Sequence, residues 1–202
     1  MPILLYSSDA ALAGSPAYLN LRLRVKAPEV IESSRLLFRR PAVADAEEIF
    51  SRYASDPEVT RFMSFRRHES LQDTLQFISW SDAEWERWPA GPYLIRSRPD
   101  NVLVGSTGLS FETPYRAMTG YLFARDSWGL GYASEALRSM VATASSVGVK
   151  RLYADCHTGH EQSRRVLEKG GFLCEGILRR YMEFPNLAPG EPADVFCYSL
   201  IL

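Results

Sequence analysis

The spacing of apolar side chains along the chain predicts helices and strands in a mixed order. Apolar positions recur at helical intervals over residues 46–53, 71–87, 132–146 and 161–169. Shorter apolar or alternating runs, typical of strands, occupy residues 36–39, 93–96, 103–111, 116–123, 152–156, 172–182 and 195–202. Strands joined by turns, with helices between them, predict an α/β (α+β) protein with a mixed sheet flanked by helices.

Proline and glycine mark the ends of the predicted helices. Asp56-Pro57 disfavours continuation of the first helix, because a residue before proline avoids the α conformation. Gly148 follows the third helix, and Gly170-Gly171 after the fourth is a strong C-terminal cap signal. These boundaries are therefore predicted from local chemistry as well as from periodicity.

We predict a single domain over residues 32–202, preceded by an extension of residues 1–31. A chain of 202 residues can bury a substantial core within one domain. Leu19 to Val25 alternates apolar and polar residues, as an exposed strand would. Three explanations fit the extension: an added strand, an arm that forms a homodimer, or upstream sequence translated from an early start.

The charge balance narrows the class of function. The formal net charge is −1, and charges of both signs are mixed along the chain. This balance argues against nucleic-acid binding as the main purpose. No apolar stretch has the length of a membrane-spanning helix, so no membrane partner is expected. The N-terminus also lacks the basic and apolar regions of a signal peptide.

The cysteines point to a reducing compartment. Cys156, Cys174 and Cys197 are an odd number at wide spacing, which matches neither a metal-ligand pattern nor a disulfide framework. Reduced and mostly buried thiols favour a cytoplasmic protein, and no metal ion is expected.

Two glycines, Gly129 and Gly131, lie between the predicted strand 116–123 and the helix that begins at Tyr132. Glycine allows the backbone to turn sharply and to point several N–H groups at one spot. The following helix adds the positive end of its dipole, so the turn is suited to a phosphate or pyrophosphate. Taken alone, the pattern fits a tight turn kept for packing better than an anion site.

Three further segments accompany Gly129–Leu137, in a fixed order along the chain. They are Glu32–Pro41 with Asp45-Ala46, the run from His160 and Ser163 to Gly171-Phe172, and the tail of Leu178–Tyr181, Pro185-Asn186 and Asp194–Tyr198. Together they cover residues 32–202 and resemble the GNAT N-acetyltransferase superfamily. Within it they resemble the RimJ/RimL-type branch of ribosomal-protein-alanine N-acetyltransferases. The resemblance implies a GNAT fold with a mostly antiparallel, seven-stranded sheet.

The resemblance also implies acetyl-CoA as the cofactor, with CoA as the product. Backbone N–H groups around the two glycines would bind its pyrophosphate: Gly129, Leu130, Gly131, Tyr132, Ala133 and Ser134. The pantetheine arm would pair with the preceding strand at Leu122, Phe123 and Ala124. Arg125 and Trp128 either flank the cofactor or have no role in binding it, Arg125 facing solvent and Trp128 packing against the protein. We interpret Glu135 as structural, because a negative charge in the first turn stabilises a helix.

Protonation of the departing thiolate is the first chemical task to assign. Many GNAT enzymes use a tyrosine on the late helix, but Leu167 occupies that position here. In the RimL-like branch a serine is proposed for this role, and Ser163 matches it; a serine there also fits a helix N-terminus. His160 replaces the usual asparagine; it contacts pantetheine, relays protons, or is a surface residue at the start of the helix.

A general base that takes the proton of the attacking amine is the second task. RimL-like enzymes place a glutamate where Met182 lies, and only a bulge would bring the next residue, Glu183, into the cleft. Asp155 at the end of a central strand is another candidate, and Glu112 is a third. Each also fits a surface or capping carboxylate, and a water relay without a dedicated base is the alternative.

The function expected from the resemblance is transfer of an acetyl group from acetyl-CoA to a primary amine by direct attack, the acceptor being a protein N-terminus. Within the same class, a small amine such as an amino acid, polyamine or aminoglycoside is the alternative. A non-catalytic acyl-CoA-binding domain is a rival, because the late-helix tyrosine is absent. A generic nucleotide-binding protein fits less well, since no acidic ribose-binding residue follows the glycines. Met63-Ser64-Phe65 would border the acceptor, whereas Trp80, Trp85 and Trp88 fit core or rim positions.

Overall fold

The computed structural model describes residues 25–202 and contains one mixed sheet of eight strands. The strands are β1 (Val30–Glu32), β2 (Leu36–Arg39), β3 (Pro92–Ser97), β4 (Leu103–Thr113), β5 (Arg116–Phe123), β6 (Arg151–His157), β7 (Leu173–Glu183) and β8 (Pro192–Ile201). Their spatial order is β1-β2-β3-β4-β5-β6-β8-β7. The predicted fold class is confirmed, with eight strands in place of seven.

The extra strand is β1, which pairs with β2 from Val30 onward. Ala27 is buried in the core, and its N–H donates to the carbonyl of Pro89 at 2.8 Å. The folded part of the chain therefore begins before the predicted boundary at residue 32. The alternating segment from Leu19 lies outside the described residues except for its last residue, Val25, so the predicted dimerisation arm stays a prediction.

All neighbouring strands are antiparallel except β5 and β6, which are parallel. These two strands pair only over Arg116–Met118 and Arg151–Tyr153. Beyond that point β5 stays paired with β4 as far as Phe123, and β6 stays paired with β8 as far as His157. The middle of the sheet therefore splits open at the C-terminal ends of two adjacent strands.

Within the described part of the chain, five α-helices accompany the sheet: α1 (Ala46–Ile49), α2 (Pro57–Thr60), α3 (Leu71–Arg87), α4 (Tyr132–Ser146) and α5 (Glu161–Lys169). The predictions for α3, α4 and α5 are confirmed at both ends. α1 continues as a π-helical turn over Phe50–Ala54. The unpredicted α2 forms because Asp56 accepts hydrogen bonds from the N–H groups of Glu58 and Val59, while Pro57 suits the first helical position.

The apolar residues of the described chain form two buried clusters that fix these elements. Leu137, Met140 and Leu167 from α4 and α5 pack in the larger cluster, together with residues of the central strands. Ile49 and Ile78 from α1 and α3 belong to the smaller one. No helix within residues 25–202 has both the length and the apolar character needed to cross a membrane.

Candidate active site

A cavity of about 350 Å³ opens where β5 and β6 diverge. One wall consists of the ends of those strands, including Leu122 and Asp155. The loop between α2 and α3, residues 61–70, forms another wall, and the end of β7 closes the site at Met182. Two of its polar side chains, those of Tyr121 and Asp155, belong to strands that already pair on their other edge.

The two glycines are exposed at the surface and adopt the conformation that the sequence predicts. Gly129 and Gly131 have φ values of 76° and 78°, a left-handed region that favours glycine. Gly131 is the N-cap of α4, and no side chain caps that helix. The first N–H groups of α4, from Tyr132 to Ser134, therefore face an exposed turn, which fits a bound pyrophosphate.

A buried carboxylate supports this turn from below. Glu135 accepts hydrogen bonds from Ser33 Oγ, Ser34 Oγ and the Arg35 backbone N–H, and pairs with Arg35 Nε at 2.8 Å. The Arg35 guanidinium in turn donates to the carbonyl of Leu130 at 2.9 Å. Although burial opposes ionisation, these donors hold the pKa of Glu135 down at about 2. The structural interpretation of Glu135 thus extends to positioning the glycine turn.

Replacing Glu135 with alanine is expected to lower the free energy of unfolding at pH 7 by about 3 kcal/mol, because the buried carboxylate is the shared acceptor of donors from Ser33, Ser34 and Arg35. Glu135 is more acidic in the folded chain, so its contribution is complete above pH 4.5 and falls as pH drops toward 2. Urea unfolding at pH 7 and pH 3 should show the deficit shrinking by about half. The exposed Glu47→Ala variant is the control, and a deficit no larger than this control's contradicts the assignment.

The strand residues predicted to bind pantetheine occupy different positions. Leu122 lines the cavity, whereas Phe123 and Ala124 are buried behind it. The carbonyl of Phe123 accepts a hydrogen bond from the Trp128 indole, and the N–H of Ala124 donates to Val104. Arg125 pairs with Asp56 at 2.6 Å. Trp128 and Arg125 therefore anchor the segment between β5 and the glycine turn.

Asp155 is the predicted carboxylate that lies in the cavity. Its Oδ1 is buried and has no hydrogen-bond partner within the described chain. Burial raises the pKa of Asp155 to about 6, and the negative charge of Glu112 contributes to this rise. A hydrogen bond with Cys197, the residue that pairs with Asp155 on β8, acts in the other direction and lowers the pKa. A carboxylate with a raised pKa and a free oxygen suits a general base.

Glu183 lies outside the cavity, and its side chain accepts a hydrogen bond from the Gly190 N–H at 2.9 Å. β7 does bulge, at two places: one extra residue lies between Cys174 and Gly176, and two more lie between Leu178 and Met182. Even with these bulges Met182 lines the cavity and Glu183 does not, so the expectation that a bulge brings Glu183 into the cleft is wrong.

Glu112 also lies outside the cavity lining. It accepts a hydrogen bond from the Tyr153 hydroxyl and pairs with Arg116. These partners account for the carboxylate structurally. Its influence on the site is electrostatic, through the pKa of Asp155.

Ser163 lines the cavity from the first turn of α5 and contacts a tyrosine that sequence reasoning missed. The hydroxyls of Ser163 and Tyr121 lie 3.1 Å apart, and the Tyr121 hydroxyl is 3.2 Å from the Ser163 carbonyl. Leu167, at the position of the usual tyrosine, is buried and also lines the cavity. The phenol missing from α5 is thus present on β5.

All three histidines of the chain line the same cavity. Burial lowers the pKa of His160 to about 4, and it also lowers the pKa values of His157 and His68. These rings are therefore uncharged near neutral pH. The Nδ1 of His160 is buried without a partner in the described chain.

The loop of residues 61–70 is fixed by one side chain from the β7–β8 connection. Asn186 Nδ2 donates to the carbonyls of Thr60 and Phe65, both at 2.8 Å, and its Oδ1 accepts from the Arg67 N–H at 2.7 Å. This loop places Met63, Ser64 and Phe65 against the cavity, as the sequence predicts. This wall of the cavity is thereby held in place.

Two features were missed because their signals are weak in the sequence. Tyr121 reads as part of an apolar strand, and nothing local shows that its hydroxyl meets α5. Asn186 lies 121 positions from Phe65, so the contact arises only from the fold. The tryptophans take the core or rim positions expected: Trp85 and Trp88 are buried, and Trp80 borders the cavity.

The described residues contain no group of histidine, cysteine and carboxylate side chains placed to hold a metal ion. The buried thiol of Cys156 also lines the cavity, and burial raises its pKa. A raised pKa keeps the thiol protonated and unreactive. The candidate chemical groups are therefore Asp155, Ser163, Tyr121 and the neutral imidazoles.

Solved structures with a similar fold include two that contain CoA or its acetyl ester. One is RimL, a ribosomal L7/L12 α-N-protein acetyltransferase in complex with coenzyme A: TM-score 0.77, 19% identity, covering 86% of this chain and 98% of that one. The other is the microcin C7 self-immunity acetyltransferase MccE with acetyl-CoA and AMP: TM-score 0.77, 19% identity, covering 87% and 97%. At this identity the likeness establishes the fold.

Sequence comparison establishes the family. Residues 35–173 match the family model described as the acetyltransferase (GNAT) domain. The uncharacterized N-acetyltransferase YoaA of Bacillus subtilis (strain 168) is 33% identical over 175 residues, which cover 85% of this chain and 96% of that protein. The split sheet, the glycine turn and these matches together show that the chain belongs to the GNAT family of acetyl-CoA-dependent N-acetyltransferases.

Proposed function

We propose that this protein transfers the acetyl group of acetyl-CoA to the α-amine of a peptide or protein N-terminus, by direct attack of the amine. The observation that carries the proposal is the cavity at the β5–β6 split, where Asp155 and Ser163 line the same space. A free carboxylate and a hydroxyl in one cavity supply the two proton-transfer groups that aminolysis of a thioester needs.

The residues that would hold acetyl-CoA are those of the glycine turn and the first turn of α4. When bound, the cofactor supplies an acyl group already activated as a thioester. The turn needs little rearrangement, because Arg35 and Glu135 already fix the backbone at Leu130. Much of the rate can then come from positioning the two reactants.

Asp155 would accept the proton that the amine loses. Its pKa of about 6 leaves the carboxylate ionised at pH 7, while keeping it more basic than an exposed aspartate. Its unpartnered Oδ1 is the atom available to the amine. His157 and His160 stay neutral, so they add no positive charge that would repel an ammonium group.

Ser163 and Tyr121 would return a proton to the departing thiolate. Their hydroxyls are within hydrogen-bond distance of each other, so one hydroxyl can donate a proton into the cavity while it accepts a hydrogen bond from the other. Burial raises the pKa of Tyr121, which keeps the phenol protonated as a donor. The pair takes over the role of the late-helix tyrosine replaced by Leu167.

The variants Ser163→Ala and Tyr121→Phe are each expected to lower kcat by about tenfold, less than a full general-acid effect because a thiolate leaves readily. Since the two hydroxyls act as one unit, the double variant should lose little more than either single variant. Release of free thiol from acetyl-CoA in the presence of a peptide amine measures this. Losses that multiply in the double variant contradict a shared proton path.

A small-molecule amine is the second candidate, and the charges of the cavity bear on which kind. Glu69, Asp73 and Asp155 line it, but so do Arg66 and Arg67. Asp73 is engaged as a helix cap with Ser70. This mixed lining favours an amine attached to a neutral or anionic group over a polyamine or aminoglycoside. Turnover with peptide amines but not with spermidine is the expected result.

A further inference from the structure

The acceptor side of the cavity is walled by contacting aromatic rings, which form two groups. In the first, Phe62 stacks on His160 with ring centres 4.5 Å apart and lies 5.1 Å from His157. His157 in turn meets the edge of Phe184 at 4.8 Å. Burial keeps both imidazoles uncharged near neutral pH, so the group presents neutral aromatic rings, with the Arg61 guanidinium over the Phe62 ring at 5.3 Å.

The second group continues along the loop and onto α3. Phe65 lies 5.9 Å from His68, His68 lies 6.4 Å from Phe77, and Phe77 lies 6.0 Å from Trp80. Phe65, Phe77 and Trp80 are only partly buried, although they border the cavity. Their exposed faces are therefore available to a ligand.

The rings are held in place before any ligand binds. Asn186 fixes the loop that carries Phe65 through bonds to Thr60, Phe65 and Arg67, and Trp80 belongs to the long helix α3. A rigid aromatic wall costs little conformational entropy when it receives an apolar group. The same wall contributes little binding energy to an acceptor whose side chain is only a methyl or hydroxymethyl group.

Two arginines stand on the same loop. Arg66 and Arg67 are exposed, border the cavity and form no ion pair with any residue of the described chain. A guanidinium without a partner can bind a carboxylate. The wall and the arginines together suit an α-amine beside an aromatic group, with a carbonyl or carboxylate beyond it.

We infer that the preferred acceptor is an α-amino compound whose side chain is aromatic or large and apolar. The inference rests on the proposed function and deepens it by naming the residue that carries the amine. Two sources share this chemistry: the first residue of a peptide and a free aromatic amino acid. An α-amine presented by alanine or serine would leave the wall uncovered.

The test is a panel of acceptors with wild-type protein and acetyl-CoA, followed by mass spectrometry and initial rates. The panel contains peptide amides that differ only in the first residue (tryptophan, phenylalanine, leucine, alanine, serine or lysine), together with free tryptophan and phenylalanine. We expect kcat/KM at least about tenfold higher for the aromatic and leucine peptides than for the alanine and serine peptides. Faster turnover of the free amino acids than of the matching peptide amides would identify the small molecule as the source.

Two variants separate the wall from general effects. Trp80→Ala should lower kcat/KM for the aromatic acceptors about fivefold more than for the alanine peptide. Tyr115→Ala removes an exposed aromatic side chain outside the cavity and should leave the acceptor profile unchanged. Acetylation without aromatic preference, or equal losses across the panel in Trp80→Ala, overturns the inference alone. Absence of any acetylated amine overturns the proposed function, and the inference with it.

Discussion

The Asp155→Asn variant is expected to lose about 10²- to 10⁴-fold in kcat/KM for acetyl transfer, the usual contribution of a general base. The amide has the size of the carboxylate but cannot accept the proton of the attacking amine. Binding of acetyl-CoA should be unchanged, because Asp155 belongs to the cavity and not to the glycine turn. Initial rates and calorimetric titration of the same preparations separate these two effects.

The pH dependence of the wild type should carry the signature of the same residue. Below pH 6 Asp155 is protonated and cannot act as a base, so kcat/KM should fall as the pH drops through about 6. Because an α-amine has its own pKa near 8, the limb that belongs to the enzyme is the one that stays in place when the acceptor amine is changed. Asp155→Asn should lack that limb.

Glu112→Gln provides the matched control. The carboxylate of Glu112 lies outside the cavity, and its charge raises the pKa of Asp155. The variant removes this charge. The variant should keep its plateau rate and shift the acid limb to lower pH. A large loss in Glu112→Gln together with a mild one in Asp155→Asn would show that Asp155 is not the base.

The Gly131→Glu variant is expected to bind acetyl-CoA at least about 100-fold more weakly than the wild type. The introduced carboxylate would lie at the exposed turn where backbone N–H groups face the pyrophosphate, and like charges in that position repel. Gly131 also has a φ of 78°, which a residue with a Cβ adopts only with strain. Calorimetric titration with acetyl-CoA measures the loss directly.

A glutamate at a second glycine controls for the backbone strain and the added charge, so that the effect of its position in the glycine turn can be measured. Gly190 has a φ of 79° and open space where a Cβ would lie, and it belongs to the β7–β8 connection away from the turn. Gly190→Glu carries the same strain and the same charge, so it should bind acetyl-CoA as the wild type does. Equal weakening in both variants would show that the glycine turn is not the pyrophosphate site.

The glycine turn and the helices around it were predictable because local chemistry determines them. Gly129 and Gly131 supply the left-handed conformations, and α3, α4 and α5 begin and end where periodicity and cap residues indicate. The pair Gly170-Gly171 ends α5, as its cap signal predicts. In each case the information lies within a few residues of the feature.

The chemical groups were harder to predict because they depend on how strands register across the sheet. Glu183 was a candidate on the assumption that a bulge would turn it inward, but β7 bulges at two places and still places Met182, not Glu183, at the cavity. Tyr121 reaches Ser163 only because β5 and α5 meet across the split. The raised pKa of Asp155 likewise arises from burial, which no local pattern shows.

The most direct test of acetyl transfer at this site is a single experiment: incubation of the wild-type protein with acetyl-CoA and a mixture of peptides with free α-amines, followed by mass spectrometry of the peptides. We predict peptides that are heavier by one acetyl group at the N-terminus, formed in step with free CoA and far more slowly by Asp155→Asn. Tight binding of acetyl-CoA with no acetylated amine would contradict this prediction, and would make the chain an acyl-CoA-binding domain without catalysis.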